Sequence, residues 1–154
     1  MVCQKNCDRI EIVESVWKGE MYMQSKVIQI GEKAIDIREP MIILFDDSAT
    51  EPLQQVSVIH RFIEPQEWFE LADGDRILFD EQEYRISYIG NHVLRNLQSI
   101  GHTTMIFKNW DEERLETSIY LTPHILPTIT DGTIISYRKK DWRWVQWKEP
   151  HVKE

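Results

Sequence analysis

The stretch Met21–Gly31, "MYMQSKVIQIG", sets Met21, Met23, Ser25, Val27 and Gln29 against Tyr22, Gln24, Lys26, Ile28 and Ile30. Successive strand side chains point to opposite faces, so this period of two predicts a half-buried strand ended by Gly31. "MIILF" (Met41–Phe45) is a continuous apolar run between Pro40 and Asp46-Asp47. It predicts a strand buried on both faces. "VSVIH" (Val56–His60) predicts the next strand, after a loop through Asp-Ser-Ala-Thr-Glu-Pro, and places His60 at its end. Residues 73–90 predict a hairpin. Asp73-Gly74 turns the chain, Ile77 and Phe79 alternate with Arg76 and Leu78, and Asp80–Glu83 forms a polar turn. Tyr84, Ile86 and Tyr88 then alternate with Arg85, Ser87 and Ile89.

One segment changes period. Val93, Leu94, Leu97 and Ile100 recur at helical spacing, with Asn91 as N-cap and Gly101 as the residue that ends the helix. Three further strands are predicted at Thr103–Phe107, Thr117–Leu121 and Gly132–Tyr137. Parallel βαβ units would need several alternating helices, and the pattern has one. The fold class expected is therefore all-β, mainly antiparallel: a small β-barrel-like domain with one short helix. Residues 1–20 are polar, with a brief alternation at Ile10, Ile12 and Val16, and read as an N-terminal extension or extra edge strand. Residues 21–137 form the barrel domain. Residues 138–154, with Trp142, Trp144 and Trp147, read as an arm covering an open edge or a partner subunit.

Composition narrows the function. A chain of 154 residues with 42% hydrophobic and 29% charged residues suits one globular domain. The net charge of −8 argues against nucleic acid and anionic membrane surfaces as partners. The acidic run Glu64, Glu67, Glu70, Asp73 and Asp75 and the basic run Arg138, Lys139, Lys140 and Arg143 both read as solvated surface. Cys3 and Cys7 lie in a polar stretch with no adjacent histidine and read as reduced thiols. Neither a secretory apolar core near the first residues nor a membrane-length apolar run is found, so a cytoplasmic protein without membrane insertion is expected.

The motifs of metalloproteases, serine hydrolases, dinucleotide folds and P-loops are not found. Asp73-Gly74-Asp75 and Asp46-Asp47 lack calcium-loop spacing. Five histidines remain. His151 lies in the tail, His124 between Pro123 and Pro127, and His92 at the start of the helix. His102 follows Gly101 and opens a strand, and His60 closes one. From the residues alone His60 is a packed side chain, a metal ligand or a nucleophile. A metal held by His60 and His102 would need a third ligand such as His124 or Asp46. No cofactor and no resident metal is expected.

Taken in order, "MYMQSKVIQIGEKA", "MIILF", "VSVIH", "DGDRILFDEQEYRISYIG", "NLQSIGHTTMIF" and "SIYL…DGTIISY" resemble one family. It is the glucitol/sorbitol-specific IIA component of the phosphoenolpyruvate-dependent sugar phosphotransferase system, and the likeness runs from about Met21 to Tyr137. The resemblance implies that His60, in "Val58-Ile59-His60", is the phosphorylated nucleophile. Its phosphate would come from the histidine-containing phosphocarrier protein and pass to membrane-bound sugar-specific transport components. A homo-oligomer is compatible with the resemblance. His102 becomes a candidate phosphate or tautomer partner, and Arg61 a candidate phosphate stabiliser. Family members often carry a second histidine two residues after the first, where this chain has Phe62. That departure motivates the alternative of a non-phosphorylated regulatory or binding module of the same fold. A carrier also needs a ring that visiting proteins can reach, so His60 is expected to face outward at the barrel's lip.

Overall fold

A computed structural model describes residues 22–64, 68 and 70–140. The alternation at Ile10, Ile12 and Val16 and the Trp-rich stretch from Asp141 onward lie outside the described residues. Among the described residues eight strands follow one another: β1 (Tyr22–Ile30), β2 (Met41–Phe45), β3 (Val58–Phe62), β4 (Arg76–Phe79), β5 (Gln82–Ile89), β6 (Thr103–Ile106), β7 (Ser118–Thr122) and β8 (Ile134–Arg138). Among the same residues two helices are inserted, α1 (Glu51–Gln55) and α2 (Val93–Ile100). The strands close into a barrel in the order β1-β3-β2-β6-β7-β5-β4-β8. Among the described residues no helix is long and apolar enough to cross a membrane.

Six of the eight strand pairings are antiparallel. The other two correct the expectation that parallel units are missing: β2–β3 and β6–β7 run parallel. A parallel pair needs a crossover of about a dozen residues. The chain between Phe45 and Val58 supplies one, and α1 occupies its middle. The five residues of this helix are too few to display a period of 3.6, so the sequence pattern predicts only a loop here. Pro52 sits in its first turn, where a missing N–H costs nothing. Gly31 lets β1 pass beneath it: a Cβ at residue 31 would stand 2.1 Å from the Gln54 carbonyl oxygen.

The inward positions of the alternation make the core. Tyr137, Phe79, Phe107, Met23, Ile42 and Leu44 are fully buried, and each contributes roughly 1.5–3 kcal/mol relative to exposure. Phe79, Tyr84 and Phe107 pack edge to face, with centroids 5.7 and 5.1 Å apart. β2 buries Ile42 and Leu44 but leaves Met41, Ile43 and Phe45 half covered, so it is one-sided rather than buried on both faces. The β4–β5 turn is tighter than expected, with Gln82 and Glu83 already in β5 and Asp80 at a φ of 57°.

One irregularity shapes the site. In the β1–β3 ladder Val27 pairs with His60 and Gln29 with Ile59, so Ile28 is bulged out of register. The bulge changes the phase of β1: Met23, Ser25 and Val27 are buried, but Gln29 is exposed. Bulges re-aim side chains and recur beside functional sites. Away from the site, the acidic and basic runs, read as solvated surface, meet at Asp75. Asp75 is 0% exposed, and its carboxylate accepts hydrogen bonds from the Ala72 N–H (2.8 Å), the Lys140 N–H (2.9 Å) and Lys139 Nζ (3.0 Å). It pins the end of β8 to the turn before β4.

Candidate functional site: a buried histidine under the Gly101 turn

His60 stands in mid-strand, not at a strand end. β3 continues through Arg61 to Phe62, and the period of two puts Val58, His60 and Phe62 in phase. Val58 faces the core, so His60 does too, and it is 0% exposed. The expectation of an outward ring at the lip is thereby corrected. Phe62 packs against the ring at 5.2 Å between centroids, and Trp68 covers Phe62 at 4.5 Å.

Both ring nitrogens are engaged. Nε2 lies 2.7 Å from the Gly101 carbonyl oxygen, and Nδ1 lies 2.7 Å from Ser25 Oγ. A carbonyl oxygen only accepts, so the proton of the neutral ring sits on Nε2. Nδ1 then accepts from the Ser25 hydroxyl. Burial lowers the imidazole pKa below its ordinary 6.5, with the Gly101 hydrogen bond and the Asp46 charge opposing it. The ring is accordingly neutral at pH 7. Below pH 6.5 an unfolded imidazole takes up a proton that the folded ring resists. Stability present above pH 6.5 is therefore lost as pH falls from there towards the folded pKa, at up to tenfold in the folding constant per pH unit. Urea midpoints measured from pH 7.5 to 5.5 are expected to fall more steeply in the wild type than in His60→Gln. Equal slopes would contradict the buried neutral ring, since the carboxylates are common to both proteins.

The Gly101 turn owes its shape to α2. Val93 and Leu97 are buried, and Ile100 is 40% exposed. The helix ends in a left-handed Gly101 (φ 64°), as the sequence predicts, while His92 rather than Asn91 takes the N-cap position. A Cβ at residue 101 would lie 2.8 Å from Asp46 Cβ and 2.9 Å from Asp46 N. Gly101→Ala adds left-handed strain to this overlap and is expected to cost about 2 kcal/mol, read as a lowered urea midpoint. A midpoint equal to wild type would show that the turn yields freely.

His102 is half-buried next to the same carbonyl. Its Nδ1 donates to the Leu44 carbonyl oxygen (3.1 Å), and its ring stacks on Phe45 at 4.3 Å. The neutral ring thus has its lone pair on Nε2, the opposite tautomer from His60. Arg61 is not brought to this cluster. It alternates to the outer face, exposed and paired with Asp47 at 2.6 Å. The expected role of Arg61 as a phosphate stabiliser therefore finds no contact with the His60 ring in this arrangement.

His92 is exposed and accepts from Arg95 at 2.9 Å, and His124 is also exposed. His151, Cys3 and Cys7 lie outside the described residues. Among the described residues no three His, Cys, Asp or Glu side chains converge on a metal position, so a metal between His60 and His102 lacks its third ligand. Ser25 is the contributor that sequence reading did not single out. Its signal was a polar residue within the inward set Met23, Ser25, Val27.

Comparison with known proteins places this geometry. The family model for the glucitol/sorbitol-specific IIA component of the phosphotransferase system matches residues 22–136. The chain belongs to this family. The matched span holds seven strands whole and β8 up to Ser136, together with Ser25, His60, Gly101 and His102. The chain is similar to the glucitol/sorbitol-specific EIIA component of Escherichia coli K12, 24% identical over 115 residues, covering 74% of this chain and 92% of that protein. The Shigella flexneri counterpart is 23% identical over the same share of each chain. The crystal structure of a phosphotransferase-system IIA component from Enterococcus faecalis V583 superposes with a TM-score of 0.71 at 41% identity, covering 75% of this chain and 99% of that one. Membership in the IIA family assigns the chain a phosphotransferase-system role in general.

Proposed function

We propose that this chain is a cytoplasmic phosphoryl carrier in which His60 accepts phosphate from the histidine-containing phosphocarrier protein. It passes the group to the membrane-bound sugar-specific component of a hexitol transport system. The observation that carries the reading is a buried neutral imidazole held at both nitrogens, within the span that matches the family. A neutral ring keeps a lone pair for attack, and its low pKa preserves that state at mildly acid pH.

The two nitrogens are not equivalent. Nδ1 points at Ser25 in the barrel wall, where access would require opening the β1–β3 ladder. Nε2 points at a turn carbonyl, and a turn can move without breaking a sheet. Nε2 is therefore the attacking atom, and the Gly101 turn must lift away before a partner's phosphoryl group arrives. His102, attached to that turn with its Nε2 lone pair free of the Leu44 bond, is the group we place beside the phosphoryl oxygens. Protonated there, it would donate to them. Arg61, outward on β3, serves the docking face in this reading. The step draws on no metal or cofactor.

One observation favours a second reading. A ring with no exposed surface, capped at both nitrogens and covered by Phe62, also suits a module that docks without being phosphorylated. The test is incubation with phosphoenolpyruvate, enzyme I and the phosphocarrier protein, followed by peptide mapping of acid-labile phosphate. One adduct on His60 supports the carrier. An adduct on His102 overturns the assignment of the nucleophile, and no adduct at all favours the docking module.

A further inference from the structure

We infer that Ser25 is the positioning residue for His60, a hydroxyl that donates to Nδ1 in the resting protein and accepts from Nδ1 once Nε2 carries phosphate. The inference rests on the reading of His60 as the acceptor and names a residue that this reading leaves open.

The proton inventory requires such a group. In the resting ring Nε2–H donates to the Gly101 carbonyl, so Nδ1 carries a lone pair and needs a donor. Transfer reverses both demands. When the turn lifts and water reaches the ring, the Nε2 proton passes to water and Nδ1 takes the Ser25 hydroxyl proton, which water replaces, leaving the ring neutral. The Nε2 lone pair then forms the N–P bond as the carrier's own N–P bond breaks, and that electron pair returns to the carrier's histidine. The product ring has phosphorus on Nε2 and a proton on Nδ1, a cationic ring whose charge the attached phosphoryl oxygens offset, so Nδ1 now needs an acceptor. A backbone carbonyl or a lysine could serve one of these states but not both. A hydroxyl serves both by turning its O–H bond. Ser25 is 0% exposed and 2.7 Å from Nδ1, held by β1 opposite Phe62, one inward position before Val27, which pairs with His60.

A second observation supplies the place to which the O–H can turn. The Tyr137 hydroxyl is buried and, among the described residues, makes no well-aligned hydrogen bond. The Ser25 hydroxyl lies close enough to oppose the rise that burial gives the Tyr137 pKa. In the phosphorylated protein the Ser25 O–H swings from His60 to the Tyr137 oxygen, while its own oxygen accepts Nδ1–H. The phenol, only loosely engaged by Ser25 at rest, is thus the firmer partner of the other state.

The experiment combines 15N spectra of the His60 ring with phosphorylation rates in wild type, Ser25→Ala, Ser25→Thr and Tyr137→Phe. Ser25→Ala is expected to shift the Nδ1 resonance and to slow phosphoryl uptake about 10- to 100-fold, the usual scale for losing a ring-orienting partner. Ser25→Thr, which keeps the hydroxyl and suits a strand, is expected to restore the rate to within a few-fold. Tyr137→Phe should leave the resting nitrogens unmoved but shorten the life of the adduct. It also keeps the test decisive if Ser25→Ala does not fold. An unchanged rate and unchanged nitrogens in Ser25→Ala, or an unchanged adduct lifetime in Tyr137→Phe, would overturn the inference. Absence of any adduct on wild-type His60 would instead overturn the reading on which it rests.

Discussion

His60→Ala is expected to abolish the acid-labile phosphoryl adduct and to lower stability by about 3 kcal/mol. The chemical loss is total because an alanine has no nucleophile. The energetic loss has two sources. Removing the ring orphans the Gly101 carbonyl and the Ser25 hydroxyl, both engaged at 2.7 Å, and each buried unpaired group costs about 1–3 kcal/mol. The cavity left beneath Phe62 adds to this unless the aromatic side chain settles into it. His60→Gln separates the two effects, since its amide keeps a donor for the carbonyl. It should be folded, with a urea midpoint between those of wild type and alanine, yet unlabelled. A labelled His60→Gln protein would show that the phosphoryl group resides elsewhere.

The largest stability effect is expected away from the site. Asp75→Ala should cost about 3–5 kcal/mol, the scale for breaking a buried, hydrogen-bonded ion pair by removing one partner. Asp75 is fully enclosed and gathers two backbone N–H groups and Lys139 Nζ, whose side chain is 35% exposed. Without the carboxylate, the Ala72 and Lys140 N–H groups lose their acceptors and β8 loses its tie to the turn before β4. Denaturant unfolding measures the effect. A loss below 1 kcal/mol would mean that water replaces the carboxylate at no cost.

The same residue shows where reading a sequence stops. Asp75 belongs to a run of acids and Lys139 to a run of bases 64 positions later, and each alone reads as wet surface. Nothing local announces their meeting. The strands themselves were legible because each carries its own period, as in Met23-Ser25-Val27 or Tyr84-Ile86. Pairing is different, since the parallel union of β2 with β3 depends on a crossover whose helix is shorter than two turns. For the site, His60 became a candidate through resemblance, while its burial was missed. Val58 and Phe62 flank it at two-residue spacing, but the reading ended the strand at the histidine. Ser25 announced itself only as a polar residue among inward apolar ones. Its meaning required knowing which strand lay alongside.

One consequence of the closed circuit of strands concerns how visitors are held. In the described sheet every strand has hydrogen-bonded neighbours on both sides, so no row of idle amides invites a guest to extend it. On the proposed carrier reading, a protein calling at the Gly101 turn grips without extending the sheet. Such a grip would release quickly, which suits two different callers taking turns at one doorway.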